Sequence, residues 1–157
     1  MNKYISALAI STIVVIIDQI SKYIIQEVMS SGQSIYVIED FFNLTYIRNR
    51  GGAFGIFYGM DEVFFLVVSF IAIVVVIVYI YKLHERERLL IVALSFILGG
   101  AIGNLIDRIL YGEVIDFIDL YIGEYHWPAF NIADLSITIG VLMVILDIFK
   151  GSHKGHK

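Results

Sequence analysis

Four long apolar runs, separated by short polar stretches, constrain this chain more than any other feature of its sequence. They lie at about residues 4–25, 63–81, 89–110 and 132–149. In a helix, which rises about 1.5 Å per residue, each run can cross a hydrocarbon core of about 30 Å. The chain is 59% hydrophobic and 17% charged, whereas a soluble domain is about 45–50% apolar and about 25% charged. The sequence therefore predicts an all-α membrane core of four transmembrane helices.

The charged residues predict the orientation and limit the partners. Short cytoplasmic loops carry an excess of Lys and Arg. Residues 82–88 contain Lys82, Arg86 and Arg88 and the end of the chain contains Lys150, Lys154 and Lys157, whereas residues 111–131 contain neither Lys nor Arg. We therefore expect both termini in the cytoplasm, with a polar tail at 151–157 that follows a single domain at 1–150. A net charge of −4, with no basic stripe, argues against a nucleic-acid partner.

Residues 30–59 do not resemble a membrane span. Phe42–Arg48 alternates roughly and is rich in aromatic and β-branched side chains, which is typical of a half-buried strand. The glycine pair Gly51-Gly52 follows, and paired glycines permit a tight turn or a close approach of the backbone to a ligand. We expect a small extracytoplasmic β-rich platform on the outer membrane face.

Polar side chains collect at the ends of the apolar runs. Asp18 and Lys22 lie four residues apart in the first run and can form an ion pair on one helix face. Either an interfacial pair that steadies the helix end or a contact with substrate would explain them. Asn104, Asp107 and Arg108 close the third run. Ionisable groups are costly in such positions, so by default they indicate a functional site.

Two further acids, Asp116 and Asp134, flank the segment between the third and fourth runs. They can meet if this segment folds back to the start of the fourth run, where Asn131 is a candidate N-cap. Two carboxylates in a low-dielectric site share a proton. One can then activate water while the other protonates a carbonyl or leaving group. The alternative is that each acid is paired separately, for example with Arg108.

Five short motifs occur in order along the chain, and together they are specific. They are Asp18 with Lys22, Arg48-Asn49-x-Gly51, Gly103-Asn104-x-x-Asp107-Arg108, Val114-x-Asp116-Phe117 and Phe130-Asn131-x-Ala133-Asp134. In these motifs, in length and in its four spans, the chain resembles the lipoprotein signal peptidase (bacterial signal peptidase II) family over nearly its whole length. The pair Gly51-Gly52, where many relatives have Gly-Ala, is a minor departure.

The resemblance implies a monomeric aspartyl endopeptidase of the bacterial cytoplasmic membrane, surrounded by membrane lipid and with its active site near the outer face. Its substrate would be a prolipoprotein, cut just before the cysteine that carries a diacylglyceryl group. The resemblance implies no metal or organic cofactor, because water and two carboxylates suffice. Asp116 and Asp134 would form the catalytic pair, and the pocket would be lined or braced by Asn49, Gly51, Asn104, Asp107, Arg108 and Asn131.

Two of the supporting residues invite more specific expectations. Arg108 would hydrogen-bond the substrate backbone, since a guanidinium stays charged and offers several donors. Asp107 is the main rival for a catalytic role, but we interpret it as a brace for Arg108 or for the end of the third helix.

Three other classes of protein could also carry such a cluster of polar residues. A proton-coupled transporter would place its carboxylates near mid-membrane and would usually contain internal repeats, which this sequence lacks. A metal-dependent lipid-headgroup transferase would gather several acids on Mg²⁺, and Asp107, Asp116 and Asp119 are the candidates. A non-enzymatic scaffold would keep its function when Asp116 is replaced by Asn.

Overall fold

The computed structural model describes residues 2–50 and 62–152. Four helices and four strands follow one another in the order α1 (Lys3–Val28), β1 (Ser34–Ile38), β2 (Phe42–Asn49), α2 (Glu62–Lys82), α3 (Arg88–Tyr111), β3 (Val114–Ile122), β4 (Tyr125–His126) and α4 (Ile132–Ser152). All four helices are long and apolar enough to cross a membrane. The predicted architecture, a four-helix membrane core with a small β-rich platform, is confirmed.

Helix α3 lies at the centre of the helical core and packs against α1, α2 and α4. Small residues allow this packing. A Cβ atom on Gly99 would lie 2.7 Å from the Cβ of Val14 on α1, and one on Gly140 of α4 would lie 2.6 Å from the carbonyl oxygen of Ala93 on α3. Both distances are too short for real atoms, so the helices can approach this closely only because these positions carry no side chain.

The platform is a four-stranded antiparallel sheet in the order β1-β2-β3-β4. Strand β2 covers the predicted strand, but β3 was not predicted, because the segment after the third run was interpreted only as a polar stretch. Gly112, in the left-handed conformation at φ 72°, ends α3 and turns the chain into β3, as glycine often does after a helix. The platform is therefore built from two separate segments of the chain.

The chain returns from the sheet to the membrane at Phe130. The backbone of Phe130 exchanges hydrogen bonds with Ile118 of β3, and α4 begins two residues later. The expected return of this segment to the start of the fourth span is confirmed. Beneath the sheet, an apolar cluster that includes Ile25, Ile115 and Phe117 packs β3 onto the end of α1. The first turn of α4 and the start of β3 are thereby held side by side.

Candidate active site

The N-terminus of α4 fixes the position of Asp134. The side-chain Oδ1 of Asn131 accepts a hydrogen bond from the backbone N–H of Asp134 at 2.9 Å, and the backbone N–H of Asn131 donates to Oδ2 of Asp134 at 3.3 Å. This reciprocal pair satisfies two donors that would otherwise lack partners at a helix start. The predicted N-cap is confirmed, and the carboxylate lies in the first helical turn, where the helix dipole favours negative charge.

The same asparagine connects Asp134 to Asp116. Because Oδ1 of Asn131 is used by α4, its Nδ2 points the other way and donates to Oδ1 of Asp116 at 2.8 Å. It also lies 3.2 Å from the carbonyl oxygen of Ile115. Asn131 is fully buried, with 0% of its surface exposed, so no water competes for these bonds. We refer to Asp116 and Asp134 together as the dyad.

Two more asparagines complete the hydrogen-bonding of the dyad. Nδ2 of Asn104 donates to Oδ1 of Asp134 at 2.7 Å, and Nδ2 of Asn49 donates to Oδ2 of Asp116 at 2.8 Å. Asn104 also accepts from Asn131 at 3.2 Å, so the dyad and the two buried amides form one connected network. The structure thus brings together residues from β2, α3, β3 and α4 that are far apart in the sequence.

Burial changes the acid–base behaviour of Asp116, of which only 2% is exposed. Burial, and then the nearby charge of Asp134, raise its pKa to about 7, while the donors on Asn49 and Asn131 and the charge of Lys22 act in the opposite direction. A carboxyl with this pKa can hold or release a proton near neutral pH. That Asp116 and Asp134 share one proton stays a prediction.

Arg108 lies half-buried in the last turn of α3. Its Nη1 donates to Oγ of Ser69 on α2 at 3.3 Å and to the carbonyl oxygen of Asn104 at 3.2 Å. These bonds extend the guanidinium toward α2. Both acids of the dyad accept hydrogen bonds from amide side chains. This arrangement does not support the alternative in which each acid is paired separately, for example with Arg108.

Asp18 and Lys22 form the predicted ion pair at 2.8 Å. The pair lies inside the protein, because the two residues are only 0% and 1% exposed. Lys22 also pairs with Asp107 at 2.8 Å, and Asp107 accepts the backbone N–H of Ile115 at 3.1 Å. Asp107 was expected to brace either Arg108 or the end of the third helix. In the structure it connects the end of α3 to α1 through Lys22 and to β3 through the backbone of Ile115.

Sequence reasoning missed Gln19, whose Nε2 donates to Asp107 at 2.9 Å and to Asp18 at 3.2 Å. An amide beside an acid inside an apolar helical run was the available signal. Gly51, another predicted site residue, lies outside the described residues.

The acids that a metal-dependent transferase would need are not gathered in one place. Asp119 lies elsewhere on the sheet, where it contacts His126 at 2.8 Å and Asn43 at 3.0 Å. Within residues 2–50 and 62–152, no group of three or more acidic or histidine side chains is arranged to hold a metal ion.

Comparison with known proteins identifies the family of this chain. A family model described as "Signal peptidase (SPase) II" matches residues 10–150. The chain belongs to the signal peptidase II family. The resemblance found in the sequence motifs is thereby confirmed, and membership makes the chain a multi-pass bacterial membrane protein and a peptidase.

Individual relatives agree with this chain in length, and a solved structure agrees with it in fold. A protein named lipoprotein signal peptidase from Syntrophus aciditrophicus is 44% identical over 142 residues, which are 88% of each chain. One from Maridesulfovibrio salexigens is 43% identical over 154 residues, covering 96% of this chain and 99% of the relative. A solved structure described as a bacterial membrane enzyme superposes with a TM-score of 0.87 at 42% identity, covering 96% of this chain and 91% of the other.

Proposed function

We propose that this protein is an aspartyl endopeptidase that removes the signal peptide from prolipoproteins carrying a diacylglyceryl cysteine, by hydrolysing the bond just before that cysteine. The observation that carries the proposal is the joining of Asp116 and Asp134 through the single buried amide of Asn131, with the pKa of Asp116 raised to about 7. Family membership and the names of the relatives support the class of substrate.

The proposed reaction uses the dyad with one proton. The ionised carboxylate removes a proton from water while the water oxygen bonds to the carbonyl carbon, and the protonated carboxyl donates to the carbonyl oxygen. The tetrahedral intermediate then loses its C–N bond: the amine nitrogen takes up the proton held by the dyad, and one hydroxyl of the intermediate gives its proton to the ionised dyad as it becomes the new carbonyl. The products are the carboxyl end of the signal peptide and the free amino group of the lipidated cysteine. The dyad returns to its starting state with one proton.

The asparagines hold the dyad in position for these transfers. Asn49 and Asn131 donate to the two oxygens of Asp116, and Asn104 donates to Asp134. Donors that are already oriented stabilise developing charge without reorganisation during the reaction. Arg108, at the adjacent end of α3, would bind backbone carbonyls of the substrate and align the scissile bond.

The position of the dyad suits a membrane-bound substrate. Asn104 lies near the end of α3 and Asp134 near the start of α4, both beside the sheet. A signal peptide is itself a hydrophobic helix, and its lipidated cysteine would lie close to the membrane surface. The distribution of Lys and Arg supports an orientation in which this end lies at the outer face. There, the exposed aromatic side chains of Tyr125 and Trp127 can lie among the lipid headgroups.

A cleavage assay tests the proposal directly. The purified protein is incubated with a diacylglyceryl-modified prolipoprotein, with and without EDTA, and the product is followed by its shift on a gel. We expect the wild type to cleave in both conditions. Asp116→Asn and Asp134→Asn should lose at least about 100-fold in rate, because one positioned proton-transfer group contributes about 10²–10⁴-fold.

A matched control is Asp147→Asn, which removes a carboxylate from the other end of α4 and should leave the rate unchanged. Turnover that survives in either dyad variant would remove that residue from the mechanism. A folded wild type that does not cleave the lipidated precursor would overturn the proposed function, and equal cleavage of the unmodified precursor would overturn the requirement for the diacylglyceryl group.

A further inference from the structure

Three charged side chains form a buried bridge between α1 and α3. Asp18, Lys22 and Asp107 are each no more than 1% exposed. The Nζ of Lys22 lies 2.8 Å from Oδ2 of Asp18, 2.8 Å from Oδ2 of Asp107 and 3.1 Å from Oδ1 of Asn104. These three oxygens match the three N–H bonds of an ammonium group. We call Asp18, Lys22 and Asp107 the buried bridge.

Each acid of the buried bridge also accepts one backbone N–H from the active site. Oδ1 of Asp18 accepts the N–H of Ala133 at 2.8 Å, and Oδ2 of Asp107 accepts the N–H of Ile115 at 3.1 Å. Ala133 immediately precedes one residue of the dyad, and Ile115 immediately precedes the other. The two segments that carry the dyad are therefore both tied to the same ammonium group, through one carboxylate each.

These ties are strong because of where they lie. Ala133 and Ile115 are 0% and 1% exposed, so water cannot replace the carboxylate acceptors. The N–H of Ala133 is among the first donors of α4, which have no partner inside the helix. Leaving a buried donor unpaired costs about 1–3 kcal/mol, and hydrogen bonds to ionised acceptors are stronger than neutral ones.

The buried bridge also determines the orientation of Asn104. An ammonium group has donors only, so it must face the Oδ1 of this amide, and Nδ2 is then turned toward Asp134. Close packing supports the arrangement: a Cβ atom on Gly103 would lie 2.5 Å from Oδ2 of Asp18. Only glycine lets α3 come this near to the carboxylate.

We propose that Asp18 and Asp107, bridged by Lys22, are positioning residues that set the separation of the two active-site aspartates by holding the backbone immediately before each of them. This inference rests on the proposed function, because separation matters only if the dyad shares a proton. A displacement of about 1 Å caused from outside the chemistry can lower a rate about 100-fold. The buried bridge would then act on kcat through geometry, without touching substrate.

Replacing Asp107 in two ways separates positioning from charge. Asp107→Asn and Asp107→Leu remove the same charge and leave Lys22 paired with Asp18, so neither strands a lone buried ion. The asparagine variant keeps an oxygen that can accept the N–H of Ile115, whereas the leucine variant has none. We expect Asp107→Leu to lose about 100-fold in kcat with KM unchanged, and Asp107→Asn to retain at least ten times the kcat of the leucine variant.

Equal losses of kcat in the two variants would overturn the inference, since they would show that charge, and not the tie to the backbone, is what matters. A change in KM with kcat preserved would overturn it as well. The pair Asp18→Asn and Asp18→Leu repeats the comparison for the N–H of Ala133, and decides the matter if Asp107→Leu fails to fold.

Two further controls complete the experiment. Lys3→Met removes another buried lysine of α1, whose Nζ donates to carbonyl oxygens of Tyr81 and Leu83 at the opposite end of the bundle. It should lower thermal stability while the folded fraction keeps its kcat. Asp134→Asn is assayed in parallel. Turnover in that variant would mean that the proposed function has failed. If Asp134→Asn is inactive while Asp107→Asn and Asp107→Leu lose kcat equally, only the positioning role has failed.

Discussion

Replacing Asp116 by asparagine should stabilise the folded protein at alkaline pH. The pKa of this carboxyl is raised from its ordinary value of 3.8 to about 7, mainly by burial. Below about pH 4 the group is neutral whether the chain is folded or unfolded. As the pH rises toward 7, the unfolded chain gives up the proton while the folded protein retains it, so stability falls until the folded carboxyl also ionises.

The size of the effect follows from this shift. A rise of roughly three pH units corresponds to about 4 kcal/mol of stability lost as the pH rises from about 4 to about 8, and roughly 3 kcal/mol of this is lost between pH 5 and pH 8. An asparagine carries no charge at any pH and avoids this loss. Its NH₂ group must face one of the donors on Asn49 or Asn131, which costs about 1 kcal/mol. We therefore expect Asp116→Asn to be more stable than the wild type at pH 8 by about 3 kcal/mol.

Equilibrium unfolding in mixed micelles at pH 5 and pH 8 measures this, with the fluorescence of the single tryptophan, Trp127, as the signal. The matched control is Glu124→Gln, which removes an exposed carboxylate next to β4 and should follow the wild type at both values. If Asp116→Asn and the wild type lose stability in parallel from pH 5 to pH 8, the carboxyl does not keep its proton in the folded protein. The argument for a shared proton would then fail.

Three other predictions concern activity, packing and topology. The rate of cleavage should decline as the pH rises through about 7, where Asp116 loses its proton. Asn49→Ala removes a hydrogen-bond donor that favours the ionised form of Asp116. In a pH–rate profile of this variant, the decline should therefore move to higher pH. Gly140→Ala places a Cβ atom 2.6 Å from the carbonyl oxygen of Ala93, which should cost about 1–3 kcal/mol in thermal unfolding while kcat of the folded fraction is unchanged. A reporter enzyme fused after Lys157 should be active on the cytoplasmic side, and an external signal would reverse the topology.

The helices were predictable because their determinants are local. Each apolar run is bounded by polar residues, and the observed helix ends differ from the expected ones by three residues or fewer. The N-cap at Asn131 was predictable for the same reason, since an amide just before an apolar run satisfies the first N–H groups of a helix. Strand β2 was recognised from its rough alternation and from its aromatic and β-branched side chains, which are typical of a strand.

Strand β3 was missed because its sequence lacks the pattern that is typical of a half-buried strand. Six of its nine residues are buried, including Asp116, so the strand shows no alternation of apolar and polar side chains. The register that aligns Ile47 with Asp116 depends on the partner strand, some seventy residues earlier in the chain. The burial of Asp18 and Lys22 was missed for a similar reason: an ion pair four residues apart looks the same in sequence whether it faces lipid headgroups or the interior of a bundle.

The choice of amides around the dyad explains how two buried acids can keep a proton between them. A cationic neighbour in direct contact would favour the charged form strongly and leave both carboxylates ionised at neutral pH. An amide donor lowers a pKa less, so burial prevails and the pKa of Asp116 stays near 7. Lys22 donates to Asn104, and Asn104 in turn donates to Asp134, so this link keeps the lysine charge one amide away from the dyad. The single lysine can thus organise the site without removing the proton that the proposed reaction needs.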